Sequence, residues 1–316
     1  MNQTIAVVGA GIAGLLLARQ LTAQGEDVVV LEKSRGLGGR LATKRVEEAV
    51  FDSGAQYFTT KSERFAGMVA EWAASGVVAP WPGASAHRWI GKPCMNALGK
   101  FLAEGLVVRR ESKVIKVQRE DGGWELTIEN QSALRVGRLV LTAPLPQSLG
   151  LLKAGGVDLP NKLAGELAAL TYLPCLALLL TLEGPSAVPA EGVALSAGPV
   201  RWIADNSKKG ISPGVAAAVT VHLSPAYAAE HYARTETELA AMVLPGIESR
   251  LGSPVRKVTL QRWKFSEPAA TYGQPCVWLP ELGLGLAGDA LGGPRVEAAA
   301  LSGLALAERM TAKAGA

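Results

Sequence analysis

The stretch that decides the fold is Ile5-Ala6-Val7-Val8-Gly9-Ala10-Gly11-Ile12-Ala13-Gly14, IAVVGAGIAG in one-letter code. Its four apolar residues predict a buried parallel strand, and the pattern from Ile12 to Gln24 predicts a helix. The first glycine allows a tight turn, the second lets a pyrophosphate approach the backbone, and the third packs the helix on the strand. The stretch therefore predicts a βαβ unit that binds a dinucleotide.

A second signal follows the next apolar run, Asp27 to Leu31. Glu32 lies 18 residues after Gly14, where an acid can accept hydrogen bonds from the hydroxyls of an adenosine ribose. Gly38-Gly39-Arg40 comes next, with two glycines for close backbone approach and a guanidinium for a phosphate. Nicotinamide dehydrogenases do not need this second loop, so it favours FAD.

A third signal lies near the other end of the chain. Gly288-Asp289 follows the apolar run Leu284–Ala287, and an aspartate there can hold the ribityl hydroxyls of a flavin. A helix that opens near Arg295-Val296-Glu297 can direct its positive end at the N1/O2 edge of the flavin, which becomes negative on reduction. Together the three signals predict an FAD-dependent redox enzyme.

These motifs resemble those of a known family. The stretch from Glu32 to Arg40 resembles the second glycine motif of the flavin amine oxidase superfamily. DSGAQYFT, residues 52–59, is similar to a segment of renalase and its bacterial relatives, and 293–299 resembles the C-terminal motif of bacterial renalases. The resemblance implies oxidation of the 2- or 6-dihydro isomers of NAD(P)H to NAD(P)+, with electrons passing through FAD to O2 to give H2O2.

Spacing and resemblance together identify candidate site residues. We expect FAD to be bound without a covalent link by Gly9, Gly11, Ile12, Ala13, Gly14, Glu32, Lys33, Gly39, Arg40, Gly54, Ala55, Gln56, Val114, Thr142, Ala143, Gly288, Asp289, Arg295, Val296 and Ala299. The resemblance gives Asn206, His222, Trp263, Gln56 and Tyr57 as catalytic residues. Without it, a lone His222 or Trp263 is more often structural, and Gln56 and Tyr57 read as strand residues that simply pack. A dihydropyridine is already a good hydride donor and needs stacking more than an acid–base pair. No metal ligand set is expected.

The fold predicted is α/β. The resemblance implies a Rossmann-like FAD-binding domain of the p-hydroxybenzoate hydroxylase type with an inserted α+β substrate domain. We assign residues 1–55, 105–150 and 280–316 to the FAD-binding domain, and residues 56–104 and 151–279 to the substrate domain. The region from Leu106 to Thr142 predicts four strands.

Composition excludes several other classes. The chain has 316 residues, 48% of them hydrophobic and 19% charged, which indicates a folded protein. The formal net charge is only +4, and short basic pairs such as Lys208-Lys209 are predicted to lie on solvated faces, so no nucleic acid is expected. The sequence contains no apolar span of 18 residues, so no membrane helix is predicted. Three unpatterned cysteines favour a reducing, cytoplasmic location.

Two alternatives remain open. An amine or polyamine oxidase would bind the neutral amine, commonly in an aromatic cage, and its turnover would rise with pH. A flavin-binding redox sensor would show slow reoxidation and no turnover. The expected partners are a small-molecule substrate and O2, and the oligomeric state is left open.

Overall fold

The computed structural model describes residues 3–84 and 87–312. The chain divides into two compact units, each assembled from separate segments. The first unit comprises Met1–Gly39, Gly99–Thr171 and Glu267–Ala316, and the second comprises Arg40–Leu98 and Tyr172–Ser266. The first segment of this unit ends at residue 39, whereas the sequence-based assignment ended it at residue 55. The unit also includes residues 99–104, 151–171 and 267–279, which were assigned to the substrate domain.

The secondary structure is as follows. The strands are β1 (Ile5–Val8), β2 (Val28–Leu31), β3 (Thr43–Val46), β4 (Ala49–Asp52), β5 (Val78–Pro80), β6 (Trp89–Gly91), β7 (Val107–Arg109), β8 (Val114–Glu120), β9 (Gly123–Ile128), β10 (Leu134–Val136), β11 (Arg138–Leu141), β12 (Tyr172–Leu182), β13 (Val193–Ala194), β14 (Val200–Asp205), β15 (Ala217–Leu223), β16 (Val255–Pro268), β17 (Cys276–Leu279) and β18 (Leu284–Ala287). The helices are α1 (Ile12–Ala23), α2 (Glu63–Ala74), α3 (Asn96–Ala103), α4 (Leu145–Ala154), α5 (Asn161–Ala168), α6 (Pro225–Glu230), α7 (Glu236–Val243), α8 (Glu248–Leu251), α9 (Asp289–Gly292) and α10 (Val296–Thr311), with a 3₁₀ turn at Leu244–Gly246.

A six-stranded sheet organises the first unit, in the order β17-β18-β11-β1-β2-β7. β1 pairs in parallel with β11 and β2, β11 with β18, and β2 with β7, whereas β17 is antiparallel to β18. All residues of β1, β2 and β18 are buried, which explains their continuous apolar sequences. The predicted βαβ unit and α/β class are confirmed. The carboxyl ends of β1, β2, β11 and β18 share one edge, where the motif residues lie.

Two further features complete the first unit. β8, β9 and β10 form an antiparallel sheet, so the predicted strands between 106 and 142 are confirmed and β10 is additional. α10 packs against α1 at very short range, because a Cβ on Gly303 would lie 2.2 Å from the carbonyl oxygen of Ala13.

The second unit contains a five-stranded sheet in the order β13-β14-β15-β12-β16, with separate hairpins β3-β4 and β5-β6. Alternate residues of β12 enter different cores: Leu178 packs with Val219 and Leu239, whereas Leu179 packs with Phe51 of β4. β4 therefore belongs to this unit. Gln56 and Tyr57 follow β4 in irregular backbone, so their predicted placement on a strand is wrong.

Within the part of the chain that the structure describes, no helix combines the length and the apolar character needed to cross a membrane.

Candidate functional site

The turn between β1 and α1 is fixed by close packing in the first unit. Gly9 has a φ of 112°, and a Cβ added to it would lie 2.8 Å from the Thr142 Oγ1. A Cβ on Gly14 would lie 2.1 Å from the Gly9 carbonyl oxygen. The Thr142 hydroxyl also lies 3.1 Å from the Val8 carbonyl oxygen and 3.0 Å from that of Gly9. Only glycine fits at positions 9 and 14, as the spacing predicts.

Gly11 is different, because a Cβ at this position would meet no atom within 4 Å. The second glycine loop lies beside it: Gly38 N donates to Ala10 O at 2.8 Å, and a Cβ on Gly39 would lie 3.3 Å from Gly11 Cα. α1 begins at Ile12, and no side chain caps its first turn. The N–H groups of this first turn thus border open space lined by glycine, an arrangement that fits a pyrophosphate.

Glu32 lies at the end of β2 and is buried. Its Oε2 accepts from Ala10 N and its Oε1 accepts from Ser34 N, both at 2.9 Å. Each oxygen keeps a lone pair that can accept from a ribose hydroxyl. The Glu32 carbonyl oxygen accepts from Ser112 N at 2.9 Å, which brings the start of β8, at Val114, close to the same position.

The residues after β18 occupy the same edge of the sheet. Gly288 has a φ of 142°, and its N–H donates to the Ser302 hydroxyl at 2.8 Å. Asp289 is buried at the start of α9. α10 begins at Val296 and has Arg295 as its N-cap residue, whose side chain makes no capping hydrogen bond. The first unit therefore carries these predicted FAD-binding residues: Gly9, Gly11, Ile12, Ala13, Gly14, Glu32, Lys33, Gly39, Val114, Thr142, Ala143, Gly288, Asp289, Arg295, Val296 and Ala299. Lys33 among them is exposed.

The other predicted FAD-binding residues, Arg40, Gly54, Ala55 and Gln56, belong to the second unit. A Cβ on Gly54 would lie 2.1 Å from the Arg40 carbonyl oxygen, which also accepts from Ala55 N at 2.9 Å. The Arg40 guanidinium donates to the Ser266 carbonyl oxygen at 3.1 Å. The predicted contact of Arg40 with a phosphate stays a prediction.

Residues 52–57, here named the 52–57 segment, organise a cluster in the second unit. All five predicted catalytic residues lie on this segment or contact it. Gln56 and Tyr57 are part of it, Trp263 Nε1 donates to Ser53 O at 2.8 Å, and His222 Nε2 lies 3.4 Å from the same oxygen. Asn206 Oδ1 accepts from the Asp52 N–H at 3.1 Å. Residues as far apart as 52 and 263 are therefore brought together.

Asn206 is fully buried, and all its polar groups bond to protein. Its Nδ2 donates to the Ala218 carbonyl oxygen and to Thr220 Oγ1, both at 2.9 Å. This geometry favours a positioning role for Asn206. Direct contact with a substrate stays a prediction.

His222 is neutral at pH 7. Burial lowers its pKa from 6.5 to about 4, the hydrogen bond to Ser53 opposes this, and the charges of Arg201 and Lys209 lower it further. Because a carbonyl oxygen only accepts, Nε2 carries the ring proton and Nδ1 carries the lone pair. His222 can therefore accept a hydrogen bond through Nδ1.

Lys209 lies in the same cluster, contrary to the prediction from the sequence. It was predicted on a solvated face, but its side chain is 0% exposed. Nζ contacts Asp52 Oδ2 at 2.8 Å and donates to Gln56 O at 2.9 Å, and it lies 5.0 Å from the centroid of the Trp81 ring. Asp52 Oδ1 accepts from Met95 N at 2.9 Å. No local pattern reveals this ion pair, because its partners are 157 residues apart.

Tyr57, Trp81 and Trp202 form an aromatic cluster with ring centroids 5.5–6.0 Å apart. The Arg88 guanidinium lies 4.7 Å from the Tyr57 ring centroid and 5.4 Å from that of Trp202. Trp81 Nε1 donates to the Ala190 carbonyl oxygen at 2.8 Å. Trp81 and Arg88 were not predicted as site residues, because an isolated tryptophan is ordinarily a core residue and a lone arginine is ordinarily solvated.

Among the residues the structure describes, no three His, Cys, Asp or Glu side chains are grouped to hold a metal ion.

Two family models match the chain. The model of the NAD(P)-binding Rossmann-like domain matches residues 7–72, and the model of flavin containing amine oxidoreductases matches residues 82–311, more than half of the chain. Putrescine oxidase from Kocuria rosea is 38% identical over 71 residues, which are 22% of this chain and 15% of that protein. 4-Hydroxybenzoate brominase (decarboxylating) from Pseudoalteromonas luteoviolacea is 27% identical over 134 residues, 41% of this chain and 23% of that protein. The matched segments of the chain thus cover less than a quarter of the length of these relatives.

Solved structures share the fold over nearly the whole chain. A putative protoporphyrinogen oxidase from Exiguobacterium has a TM-score of 0.77 at 14% identity, and cyclohexylamine oxidase from Brevibacterium oxydans has 0.74 at 12%. Each comparison covers 98% of this chain and 99% of the other. With the Rossmann turn and the second glycine loop in place, the chain belongs to the flavin-containing amine oxidoreductases and is an FAD-dependent enzyme.

Proposed function

We propose that the protein is an FAD-dependent oxidase that removes a hydride from a carbon bonded to nitrogen in a small substrate. In an amine, loss of this hydride and of the N–H proton gives an imine. In a 2- or 6-dihydronicotinamide, loss of the hydride alone gives the aromatic pyridinium. Bound FAD supplies the hydride acceptor, and O2 takes the two electrons with two protons to form H2O2.

The family match over residues 82–311 carries this proposal. The chemistry of the 52–57 segment supports it. The pKa of His222 is lowered to about 4, which makes it a weak base, and the Asp52 carboxylate is engaged by Lys209. Hydride transfer needs orientation and exclusion of water more than proton transfer by the protein.

The comparisons favour an amine as substrate over the dihydronicotinamide isomers that the sequence resemblance implies. Putrescine oxidase is among the relatives, and cyclohexylamine oxidase shares the fold. The aromatic cluster offers ring faces that suit the apolar body of a neutral amine. We therefore take a small amine as the first substrate class.

One observation favours the dihydronicotinamide isomers as a second class. The Arg88 guanidinium already lies over the Tyr57 and Trp202 rings, where an aromatic cage would hold a cation. A fixed positive charge repels a polyamine and attracts the pyrophosphate of a dinucleotide.

An anaerobic reduction assay separates the candidates. The purified yellow holoenzyme is mixed with putrescine, with cyclohexylamine, and with borohydride-reduced NAD+, which contains the dihydro isomers. Flavin bleaching within seconds by an amine alone supports the first class, and bleaching by reduced NAD+ alone supports the second. If none bleaches the flavin, the oxidase proposal is wrong and the redox sensor becomes the better hypothesis.

Arg88→Met provides an independent check on the substrate class. With a dinucleotide substrate we expect KM to rise about tenfold, since a charge-assisted contact is lost. With an amine substrate, KM should stay level or fall. Arg119→Met is the matched control, because Arg119 lies 5.2 Å from the Trp124 ring centroid in the first unit. It should leave KM unchanged for either class.

A further inference from the structure

Gln56 has an acceptor atom that the described part of the protein does not satisfy. The residue is buried, with only 5% of its surface exposed. Its Nε2 donates to the carbonyl oxygens of Asp52 and Gly54, the latter at 3.3 Å. Its Oε1 is buried and accepts no hydrogen bond from any described residue.

The orientation of this amide follows from its neighbours. Two carbonyl oxygens face one end of the Gln56 amide, and carbonyl oxygens only accept, so that end must be the NH2 group. Oε1 is therefore held away from both. Buried acceptors without a donor are rare in native proteins, since each loses its bonds to water. Such an atom needs a donor from outside the described residues, which is supplied by ordered water or by a ligand.

The buried ion pair holds Gln56 in this position from two sides. Lys209 Nζ donates to the Gln56 carbonyl oxygen and pairs with the Asp52 carboxylate. The Asp52 carbonyl oxygen accepts from Gln56 Nε2 and, at 3.1 Å, from the Thr220 hydroxyl. The backbone and the side chain of Gln56 are thus both fixed through residues 52 and 209.

We propose that Gln56 Oε1 accepts a hydrogen bond from an N–H group of the bound substrate, and that the Asp52–Lys209 pair is the device that positions it. The inference rests on the proposed function, in which the substrate carries nitrogen next to the oxidised carbon. An amine presents an N–H donor on that nitrogen itself. The ring nitrogen of a dihydronicotinamide carries no hydrogen, so a substrate of this second class would present its carboxamide N–H instead.

The test compares probes with and without that donor. The melting temperature of the holoenzyme is measured at pH 7.5 against rising concentrations of nicotinamide and N,N-dimethylnicotinamide, and of aniline and N,N-dimethylaniline, which are neutral amines at this pH. In the wild type, one N–H probe should bind about five to ten times more tightly than its dimethyl partner. In Gln56→Met this ratio should fall to near one, because the thioether is at most a weak acceptor. Steric effects of the methyl groups largely cancel between Gln and Met.

The positioning role is tested with Asp52→Asn combined with Lys209→Met. Replacing a buried pair by neutral groups of similar size commonly preserves stability. We expect a folded holoenzyme that has lost the probe ratio. A purely structural pair would leave the ratio intact, and that result overturns the positioning role. This variant also tests the first half of the proposal if Gln56→Met does not fold.

These measurements do not depend on turnover. A protein that binds the N–H probes selectively but reduces no flavin contradicts the proposed oxidase and leaves the acceptor role standing. If wild type and Gln56→Met give the same ratio for both probe pairs, Oε1 meets no ligand donor and the inference is wrong, whatever the enzyme oxidises.

Discussion

Lys209 illustrates at the residue scale how much depends on a buried charge. Removing one partner of the pair leaves Asp52 ionised and fully buried, which costs about 3–5 kcal/mol. We expect Lys209→Met to lower the free energy of unfolding by that amount in urea denaturation. The control is Lys113→Met, because the Lys113–Glu129 pair is about half exposed and should lose under about 1 kcal/mol. Equal losses in both variants would contradict the argument.

Two glycines of the same motif should respond differently to alanine. At Gly14 a Cβ meets the Gly9 carbonyl oxygen, so Gly14→Ala should lower stability or prevent folding. Gly11 has a φ of −77° and open space around its Cβ position, so Gly11→Ala should fold normally. If that space receives a pyrophosphate, the Gly11 variant will be pale. Thermal melting of the apoprotein and FAD content after gel filtration check both outcomes. Full FAD occupancy in Gly11→Ala would contradict the pyrophosphate site at Gly11.

His222 predicts a pH dependence of stability. The unfolded chain protonates this side chain near pH 6.5, whereas the folded protein does so only near pH 4. The unfolded state binds more protons between these values, so stability falls as the pH is lowered from 6.5 to about 4. His222→Gln should lose less stability over this window. Urea denaturation of both proteins at pH 7 and pH 4.5 measures the difference, and parallel losses would contradict the prediction.

Residues set by local geometry could be read from the sequence, and those set by distant partners could not. The spacing of Gly9, Gly11 and Gly14 follows from the turn they form, and Glu32 follows from the length of a βαβ unit. Lys209 and Arg88 depend on partners across the fold, and a basic pair or a lone arginine is ordinarily solvated. His222 and Trp263 were identified through family resemblance, since neither shows a local signal.

The close packing of α10 on α1 leads to a prediction about these two helices. A Cβ on Gly303 would lie 2.2 Å from the Ala13 carbonyl oxygen, which is backbone and cannot move aside cheaply. We expect Gly303→Ala to separate the two helices and lower the melting temperature by several degrees or more. Gly165→Ala in α5, where a Cβ meets nothing within 4 Å, should be neutral or slightly stabilising. Unchanged melting of Gly303→Ala would contradict the close contact.

Helices and strands could be predicted from the sequence where their hydrophobic pattern was simple. The continuous apolar runs of β1, β2 and β18 identified the parallel sheet. The hairpin β3-β4 was not predicted, because Thr43, Lys44 and Arg45 are all polar and show no alternation of apolar and polar residues. α4 was not predicted, because Pro144 and Pro146 lie at its start and proline commonly interrupts regular structure. Proline also suits a first helical turn.

The discontinuous units lead to a prediction for the whole molecule. The chain passes from one unit to the other after residues 39, 98, 171 and 266. A fragment of residues 1–266 lacks β17, β18 and α10. β11 then loses one of its two neighbouring strands, and α1 loses the helix that packs against it. We expect the fragment to be insoluble or to bind no FAD. Circular dichroism and flavin absorbance of the purified fragment provide the check, and a folded yellow fragment would contradict the assignment of the last segment to the first unit.

The whole-molecule architecture was only partly predictable. Glycine motifs at both ends indicated a discontinuous FAD-binding region. The positions at which the chain passes from one unit to the other could not be predicted, because they depend on which sheet each short strand joins. β17 pairs with β18, and β4 packs on β12. Hydrophobic pattern identifies a strand but not its neighbour.

The buried carboxylate of Glu32 has a consequence for nucleotide choice. Both of its oxygens already accept backbone N–H groups, so the side chain cannot rotate away from an incoming anion. A 2′-phosphate on the adenosine ribose would be placed against this fixed negative charge, with strong Coulomb repulsion at low dielectric. The Rossmann turn should therefore reject NADP(H), and any phosphorylated nicotinamide nucleotide that the enzyme handles must be recognised by other residues.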